Sequence, residues 1–583
     1  MRSMNMKNAT FKTRLVLTLM VAVMLFSVPA VFAAVPGISG PNFSLTAQQA
    51  YLNQPDGEAV YSWGYGCNGA PAGFLPAAIK DPAGNLPTCS TMQVPGPTLI
   101  VTEGATVNVT LTNQLPAAAG NTSILFPGFT VTATGGVAGL LTQEAAPGGT
   151  VSYSFTASAP GTHAYYSGTQ GDLQIEMGLY GAIIVLPLSV PASCTTGYHT
   201  QIGAARTHWG ETDFRLSQAA YDHPGSCYDR EYLFQWAEMD TRIHRQAAAQ
   251  VTALIGCTAG APGCSLNVQT EPYHPAYFLI NGRSMPDLMD PNYAGEYPHQ
   301  PYNGNPHMHP GDLTLIRTIG QGRWQHPFHE HANHVRILAR DGNLVLSGST
   351  TPVSYSTPGG TAVTGRGLAG SLMFNTDTTP GESFDGIFYF TGRGLNWDPY
   401  GHHPGPDTAL TPTAGSDPLA HLTCTPDADG YNTVDPTAVN FFEWCQDHNK
   451  PVQVNPFGDV PGGGPATLPD PNAFTNGAWY GGTPYLGPDA SLRGNAPSCV
   501  GSPFGPANPT SPSGGAGTPA VNTANCTTLN PANLQLNPAN ERGWAFMWHS
   551  HNEREITTNN VFPGGMLMMM LVDSREFVID ESQ

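Results

Sequence analysis

The stretch from residue 94 to residue 115, "VPGPTLIVTEGATVNVTLTNQL", alternates apolar and polar side chains between turn-forming residues. Val107, Val109 and Leu111 share one face of the chain, and the threonines and asparagine between them share the other. Successive side chains of a strand point to opposite faces, so this period of two predicts an antiparallel strand with one buried face.

Further strand-like segments recur at short intervals, separated by glycine and proline turns. They are "TVSYSFTA" (150–157), "GAIIVLP" (181–187), "HPGDLTLIRTIG" (309–320), "HVRILARDG" (334–342), "PGESFDGIFYF" (380–390), "GWAFMWHSH" (543–551) and "GGMLMMMLV" (564–572). Many short strands with such turns predict an all-β protein built from sandwiches or barrels.

Two long segments interrupt this pattern. Residues 191–274 contain the partly helical "AARTHWGETDFRLSQAAYDH" and one predicted strand, "EYLFQWAEMD" (231–240), and we interpret them as a connector with disulfides. Residues from about 396 to 540 are rich in glycine, proline, asparagine and serine. A structureless loop of this length is uncommon inside a domain, so we expect an insertion that disulfides hold in place.

Composition and charge narrow the function classes. The 583 residues suffice for two to four domains, and the 40% of hydrophobic residues argue against a disordered chain. The net charge is −20 at pH 7. A surface this acidic repels phosphate groups, so we expect no nucleic-acid partner.

The N-terminus predicts export. Residues 1–33 combine four basic residues with the apolar run "LVLTLMVAVMLFSV" (15–28) and a small-residue cleavage site after Ala33, as in a secretory signal peptide. We therefore expect a secreted, periplasmic or cell-surface protein in which the ten cysteines form disulfides. Other connectivities stay open, but proximity along the chain suggests the pairs Cys67/Cys89, Cys194/Cys227, Cys257/Cys264, Cys424/Cys445 and Cys499/Cys526.

The histidines are the candidate metal ligands. Three His-x-His pairs lie in the second predicted β region: His307 and His309, His329 and His331, His549 and His551. Alternate residues of a strand project to the same side, so each pair can direct two imidazoles to one point. Imidazole is a good ligand for copper, zinc, iron and nickel. The sequence therefore predicts a transition-metal site.

The segment after His551 allows two interpretations. If the strand continues, Glu553 and Glu555 fall on the face of His549 and His551 and complete a His/carboxylate set. If the strand ends there, both glutamates are solvated. The sequence leaves both open.

Several motifs resemble the multicopper oxidase family, whose domains are cupredoxin β-sandwiches. They are "VPGPTLIVTEGATVNVTLTNQL" (94–115), "GTHAYYSGTQGDLQIEMGLYGAIIV" (161–185), "YFLINGRSMPD" (277–287), "HPFHEHANHVRILARDG" (326–342) and "WHSHNEREITTNNVFPGGM" (548–566). The resemblance implies two cupredoxin-like Greek-key domains, residues 40–190 and 275–583, with the insertion in the second. The alternative is a third domain hidden within residues 191–300.

The resemblance also implies ligand positions. His326 falls at a type 1 copper ligand, His329 at a type 2 ligand, and His331, His549 and His551 at ligands of the type 3 pair.

Other positions depart from the family. Ser550 stands at the type 1 cysteine and Glu555 at the second type 1 histidine. A hydroxyl cannot supply the thiolate of a blue copper site. The first domain carries other residues at four expected histidine positions: Leu125, Pro127, Tyr166 and Gly168. Neither a type 1 site nor a complete trinuclear cluster is therefore expected, and ordinary laccase activity is not expected either.

What remains is half a cluster, which could hold one metal ion. We expect copper, or another divalent transition metal, at His329, His331, His549 and His551, with His326 as a further ligand position. Less certain contributors are Glu553, Tyr166 as a cap from the first domain, and the pair His307 and His309.

The expected function is that of an exported, multicopper-oxidase-like copper-binding protein, related to oxidoreductases, with a degenerate and mononuclear site. The alternatives are a non-catalytic envelope or extracellular structural or binding protein on a cupredoxin scaffold, and a metal storage or delivery protein. In two-domain relatives the site lies between subunits, so a homotrimer is a further expectation. The sequence identifies neither catalytic residues nor a substrate.

Overall fold

The computed structural model describes residues 35–390 except 78, 212–217 and 357–361, then 424–445 except 429, 439 and 440, and finally 482–486, 541–573, 575 and 579. The predicted signal peptide, most of the predicted insertion and the pair Cys499/Cys526 lie outside these residues.

The chain between residues 37 and 186 forms the strands of a first sandwich. Its strands are β1 (Gly37–Ser39), β2 (Asn42–Asn53), β3 (Ala59–Cys67), β4 (Phe74–Leu75), β5 (Leu99–Thr102), β6 (Thr106–Asn113), β7 (Thr132–Gly135), β8 (Val137–Ala138), β9 (Gln143–Glu144), β10 (Thr150–Thr156), β11 (Gly161–Tyr166) and β12 (Tyr180–Leu186).

These strands make two five-stranded sheets, in the orders β11-β12-β5-β1-β4 and β3-β2-β6-β10-β7. The apolar faces of both sheets meet in one core that includes Trp63, Leu111 and Ile183. In β6, Val107 is buried while Thr106 is exposed, and the burial alternates along the strand. The predicted period of two is thereby confirmed.

Within the described part of the chain, three α-helices accompany the sheets: α1 (Gly171–Gln174), α2 (Tyr198–Trp209) and α3 (Thr241–Ala253). Helix α3 begins after Asp240, whose carboxylate accepts a hydrogen bond from the backbone N–H of Arg242 at 2.9 Å and so caps a free donor of the first turn. Ile243 and Ala247 of α3 pack into the core of the first sandwich. No helix among the described residues is long and apolar enough to cross a membrane.

The remaining strands lie between residues 218 and 573. They are β13 (Gln218–Ala219), β14 (Cys227–Tyr228), β15 (Arg230–Met239), β16 (Tyr277–Ile280), β17 (His307–Met308), β18 (Leu313–Gly320), β19 (Pro327–Glu330), β20 (Val335–Arg340), β21 (Asn343–Leu344), β22 (Pro352–Ser356), β23 (Ala362–Arg366), β24 (Leu372–Met373), β25 (Asn375–Asp377), β26 (Ser383–Tyr389), β27 (Gly482–Leu486), β28 (Glu541–Ser550) and β29 (Leu567–Asp573).

Two sheets of these strands form the second sandwich. One has the order β16-β15-β18-β26-β20-β21, with β24 on β20, and the other has the order β17-β29-β28-β19-β25, with β27 on β28. Their shared core includes Trp236, Phe328, Trp548 and Met568. The methionine run of β29 therefore serves packing. With the first sandwich, this architecture confirms the all-β prediction.

The segment interpreted as a connector contributes an inner strand to this sandwich. Strand β15 pairs in parallel with β18 and antiparallel with β16, and all ten of its residues are buried. The predicted strand at 231–240 is confirmed, and its charged residues Arg230, Glu231 and Glu238 are buried with it. Buried charges need oppositely charged or hydrogen-bonding partners. The partners of these three residues lie outside β15.

Four predicted disulfides are present among the described residues. They are Cys67–Cys89, Cys194–Cys227, Cys257–Cys264 and Cys424–Cys445.

Candidate metal centre

Strands β19 and β28 place the histidines. They are antiparallel neighbours whose register sets His329 opposite His549. Residues facing each other in this way have side chains about 5 Å apart. His331 lies two residues beyond His329, where the strand period returns to the same face. On the other face, Trp548 packs into the core and its Nε1–H donates to the carbonyl oxygen of His331 at 3.1 Å.

The ligand nitrogens of His329, His331 and His549 all lie within 4.8 Å of one another. We call these residues the three-histidine group. The Nε2 atoms of His331 and His549 are 3.3 Å apart. All three side chains are buried, so the group is shielded from bulk water.

His551 flanks the group on its solvent side. Its ring centroid is 4.9 Å from that of His329 and 5.7 Å from that of His549, and the residue is exposed. Three buried nitrogen ligands with a fourth histidine at the surface suit a metal that keeps one accessible position.

Backbone carbonyls fix which ring nitrogens carry protons. His329 Nδ1 is 2.6 Å from the carbonyl oxygen of Phe374, and His549 Nδ1 is 2.7 Å from the carbonyl oxygen of Ser550. A carbonyl can only accept, so each Nδ1–H donates and each Nε2 keeps its lone pair. Metal-binding histidines are held by the same kind of bond.

The electrostatics of the group favour neutral rings. Burial, with the neighbouring imidazoles, lowers the pKa of His329 to about 4 and that of His331 to about 3, and burial also lowers the pKa of His549. Metal ions bind the deprotonated ring. At neutral pH the group therefore meets the chemical requirement of copper or zinc without losing protons first.

The strand does not continue past His551. Strand β28 ends at Ser550, and residues 553–556 form a 3-10 turn in which the Asn552 side chain accepts a hydrogen bond from the backbone N–H of Arg554. The continued-strand interpretation is wrong because this cap redirects the chain. Glu553 is exposed in the turn and lies outside the three-histidine group, whereas Glu555 is buried and accepts a hydrogen bond from the Ser550 hydroxyl.

His326 is placed apart from the group. Its Nδ1 is 2.9 Å from Glu555 Oε2 and its Nε2 is 2.9 Å from Glu238 Oε2. Both nitrogens are engaged by carboxylates, so neither points a lone pair at the histidines that follow it.

The other predicted contributors also lie elsewhere. His307 Nε2 binds a carboxylate oxygen of Asp573 at 2.5 Å, and His309 Nε2 is 3.3 Å from a carboxylate oxygen of Glu211. These bonds hold both imidazoles in buried ion pairs. Tyr166 is half-buried and packs with the apolar residues where the two sandwiches meet.

Comparison with known proteins finds similarity to one family. Residues 88–189, which include β5 to β12, match the family model described as multicopper oxidase. Laccase 1 of Metarhizium robertsii is 27% identical over 203 residues, which are 34% of this chain and 29% of that protein. Residues 88–189 are therefore similar to the multicopper oxidase family. The alignment spans less than a third of the length of that laccase.

Solved structures with similarity to the chain include the multicopper oxidase mgLAC, at 17% identity and a TM-score of 0.35, covering 59% of this chain and 74% of that one. The blue copper oxidase from Nitrosomonas europaea has 17% identity and a TM-score of 0.34, with the same coverage.

The sequence resemblance predicts type 1 copper ligand positions at His326, Ser550 and Glu555. In the structure these residues are joined by hydrogen bonds, since Glu555 Oε2 lies 2.9 Å from His326 Nδ1 and accepts from Ser550 Oγ–H at 2.5 Å. In the first sandwich, Leu125 and Tyr166 pair through their backbones.

Sequence reasoning missed two participants. Glu238, the second carboxylate on His326, lies 88 residues away on β15, and no local pattern links the two. Phe374 acts through its backbone carbonyl, which every residue possesses, so no sequence signal could reveal it.

Proposed function

We propose that this chain is an exported copper protein with one mononuclear, histidine-rich site in place of the type 1 and trinuclear centres of its family. The observation that carries the proposal is the convergence of three buried, neutral imidazoles with ligand nitrogens within 4.8 Å of one another. Fold maintenance alone does not require this, because buried polar rings cost free energy unless they are bonded.

Each residue of the proposed site has a distinct role. His329, His331 and His549 would hold the metal, and exposed His551 would meet a molecule arriving from solvent. Copper would supply one-electron redox or Lewis-acid chemistry. The carbonyls of Phe374 and Ser550 keep the ligand nitrogens deprotonated. With Ser550 in the place of a thiolate, a substrate would have to reach this site directly, so an oxidoreductase activity, if present, would differ from that of a laccase.

A second candidate function is non-catalytic binding on an oxidase scaffold. The bonds among His326, Ser550 and Glu555 favour it, since they fill the positions where electrons would enter a multicopper oxidase. Metal storage is less favoured, because the imidazoles of His307 and His309 are already bonded to carboxylates.

Copper titration followed by electron paramagnetic resonance tests the proposal. We expect one equivalent of Cu(II) per chain, a non-blue spectrum and nitrogen hyperfine structure. The double substitution His329→Ala/His549→Ala should abolish binding. The control His334→Gln should bind normally, because His334 lies nearby, beside Phe374, but outside the group. Absence of copper uptake by the wild-type protein would contradict the proposal.

A turnover assay distinguishes the oxidoreductase function from the binding function. Turnover of a reducing substrate by the copper-loaded protein, lost in the double variant, favours the oxidoreductase. Stoichiometric copper without turnover favours the binding protein. We also propose export and a homotrimer, which N-terminal sequencing of secreted protein and light scattering would test.

A further inference from the structure

A chain of four buried side chains runs beside the three-histidine group. Glu238 binds one nitrogen of His326, Glu555 binds the other, and Ser550 binds Glu555. We call these four residues the Glu–His–Glu–Ser bridge. It joins β15, the segment before β19, the 3-10 turn at 553–556 and β28. None of its side chains is more than 3% exposed.

The hydrogen-bond donors around Glu238, at one end of the bridge, favour an ionised carboxylate. Its Oε1 accepts from the backbone N–H of Arg323 at 2.6 Å and from that of Trp324 at 2.9 Å. The hydroxyl of Tyr273 is 3.2 Å from the same oxygen but donates over a shorter distance, 2.6 Å, to Glu176. With two backbone donors on Oε1 and His326 on Oε2, the carboxylate needs no proton of its own.

Glu555, on the other side of the His326 ring, also accepts hydrogen bonds at both of its carboxylate oxygens. Its Oε1 accepts from the side-chain amide of Asn552 at 2.8 Å, and its Oε2 accepts from Ser550 and His326. Two carboxylates supplied with donors require His326 to donate from both ring nitrogens, so the ring between them is an imidazolium.

Ser550 connects the bridge to the three-histidine group. Its hydroxyl donates to Glu555 and accepts from the backbone N–H of Asn552 at 3.1 Å. Its carbonyl oxygen accepts from His549 Nδ1–H. One residue is therefore anchored by its side chain to the bridge while its backbone sets the tautomer and direction of a histidine in the group.

We propose that the Glu–His–Glu–Ser bridge is a positioning device, which holds Ser550 so that His549 presents an unprotonated Nε2 to the metal. The inference rests on the proposed function for the identity of what His549 binds. It assigns a role to Glu238, His326, Glu555 and Ser550 as positioning residues, distinct from ligands. Partners that orient metal-binding histidines commonly change metal affinity by about 10- to 100-fold when they are lost.

Zinc and copper titrations of the full-length protein test the role. We expect Ser550→Ala and Glu555→Gln each to weaken binding by about 10-fold or more. The control Tyr221→Phe removes another buried hydroxyl bonded to a carboxylate, that of Asp385, and should leave metal affinity unchanged. Wild-type affinity in both bridge variants would overturn the proposal.

Nitrogen NMR on metal-free protein labelled at histidine provides a second readout. The His326→Gln variant assigns the His326 signal. We expect an imidazolium at His326 and an Nδ1–H tautomer at His549 at neutral pH, with the His549 tautomer no longer fixed in Glu555→Gln. A neutral His326, or a His549 signal unchanged in that variant, would overturn the bridge. If the wild-type protein binds no metal, the proposed function fails while these spectra still decide the bridge.

Discussion

Ser550 illustrates how much a single atom determines in this protein. A sulfur at this position would be a soft ligand, whereas the hydroxyl is a hydrogen-bond donor to Glu555. Ser550 lies between His549 and His551 in the sequence, and strand alternation directs its side chain to the opposite face from theirs. The same backbone thus carries a different chemistry on each face.

Introducing a cysteine at position 550 should not create a blue copper site. In Ser550→Cys, Glu555 supplies a carboxylate and not an imidazole, and His326 is still bonded at both nitrogens. We expect no intense blue absorption after copper loading, and a free thiol that titrates with a thiol reagent after denaturation. A blue band in the single variant would contradict the hydrogen-bonded arrangement described above.

The histidine residues themselves were predictable, because a His-x-His spacing is visible in the sequence. The resemblance assigned His326 to a different copper from the other histidines, but the carboxylates that engage its ring were not predictable. His326 is three residues from His329, yet it belongs to a network of carboxylates while His329 belongs to the three-histidine group. The difference arises from partners on distant strands.

At the level of elements, the pairing of β19 with β28 builds the site, and His326 secures the start of β19 against two other elements. Burial opposes a charge on His326, but its hydrogen bonds to Glu238 and Glu555 outweigh that effect and raise the pKa to about 9. The charged ring is therefore a source of stability that depends on pH.

We expect the bridge to weaken in alkaline solution. The pKa of His326 is higher in the folded state than the usual 6.5, so its contribution is fully present below pH 6.5 and is lost as the pH rises through about 9. The shift corresponds to about 3 kcal/mol of unfolding free energy. Denaturant unfolding between pH 6 and pH 10 measures it.

The matched control is His326→Gln, which cannot titrate at this position. The difference in unfolding free energy between wild type and variant should shrink over the same pH range. A constant difference up to pH 10 would show that His326 does not carry the charge.

For the whole molecule, buried charges join the two sandwiches. Arg317 of β18 donates to Glu231 of β15 and lies 3.4 Å from Asp385 of β26. Its guanidinium also donates to Thr162 of the first sandwich at 3.1 Å, and Asp385 accepts from the same threonine. These groups are fully buried at the contact between the sandwiches.

Removing this guanidinium should destabilise the whole chain. Arg317→Met leaves two buried carboxylates without their cation, and losses of this kind cost about 3–5 kcal/mol. The surface pair Arg340–Glu382 provides the control, since Arg340→Met should cost less than about 1 kcal/mol. Equilibrium unfolding in guanidinium chloride distinguishes the two. Equal effects would mean that the buried network contributes no more than a surface pair.

The sequence by itself determined the class of fold and indicated several of its strands, and proximity along the chain suggested the four disulfides that the described residues contain. Alternation in β6, turn residues between strands and cysteines close along the chain are all local signals, and local signals act over a few residues. Motifs that resemble the multicopper oxidase family added the expected metal-ligand positions and the expectation that no type 1 site is present.

Only the tertiary structure decided which of these residues meet. The register of β19 against β28 sets His329 against His549, the cap at Asn552 turns Glu555 inward, and β15 brings Glu238 to His326. Each contact joins groups that are distant in sequence or act through the backbone. Their free energies depend on burial and on the direction of a donor, and a residue's place in the sequence specifies neither.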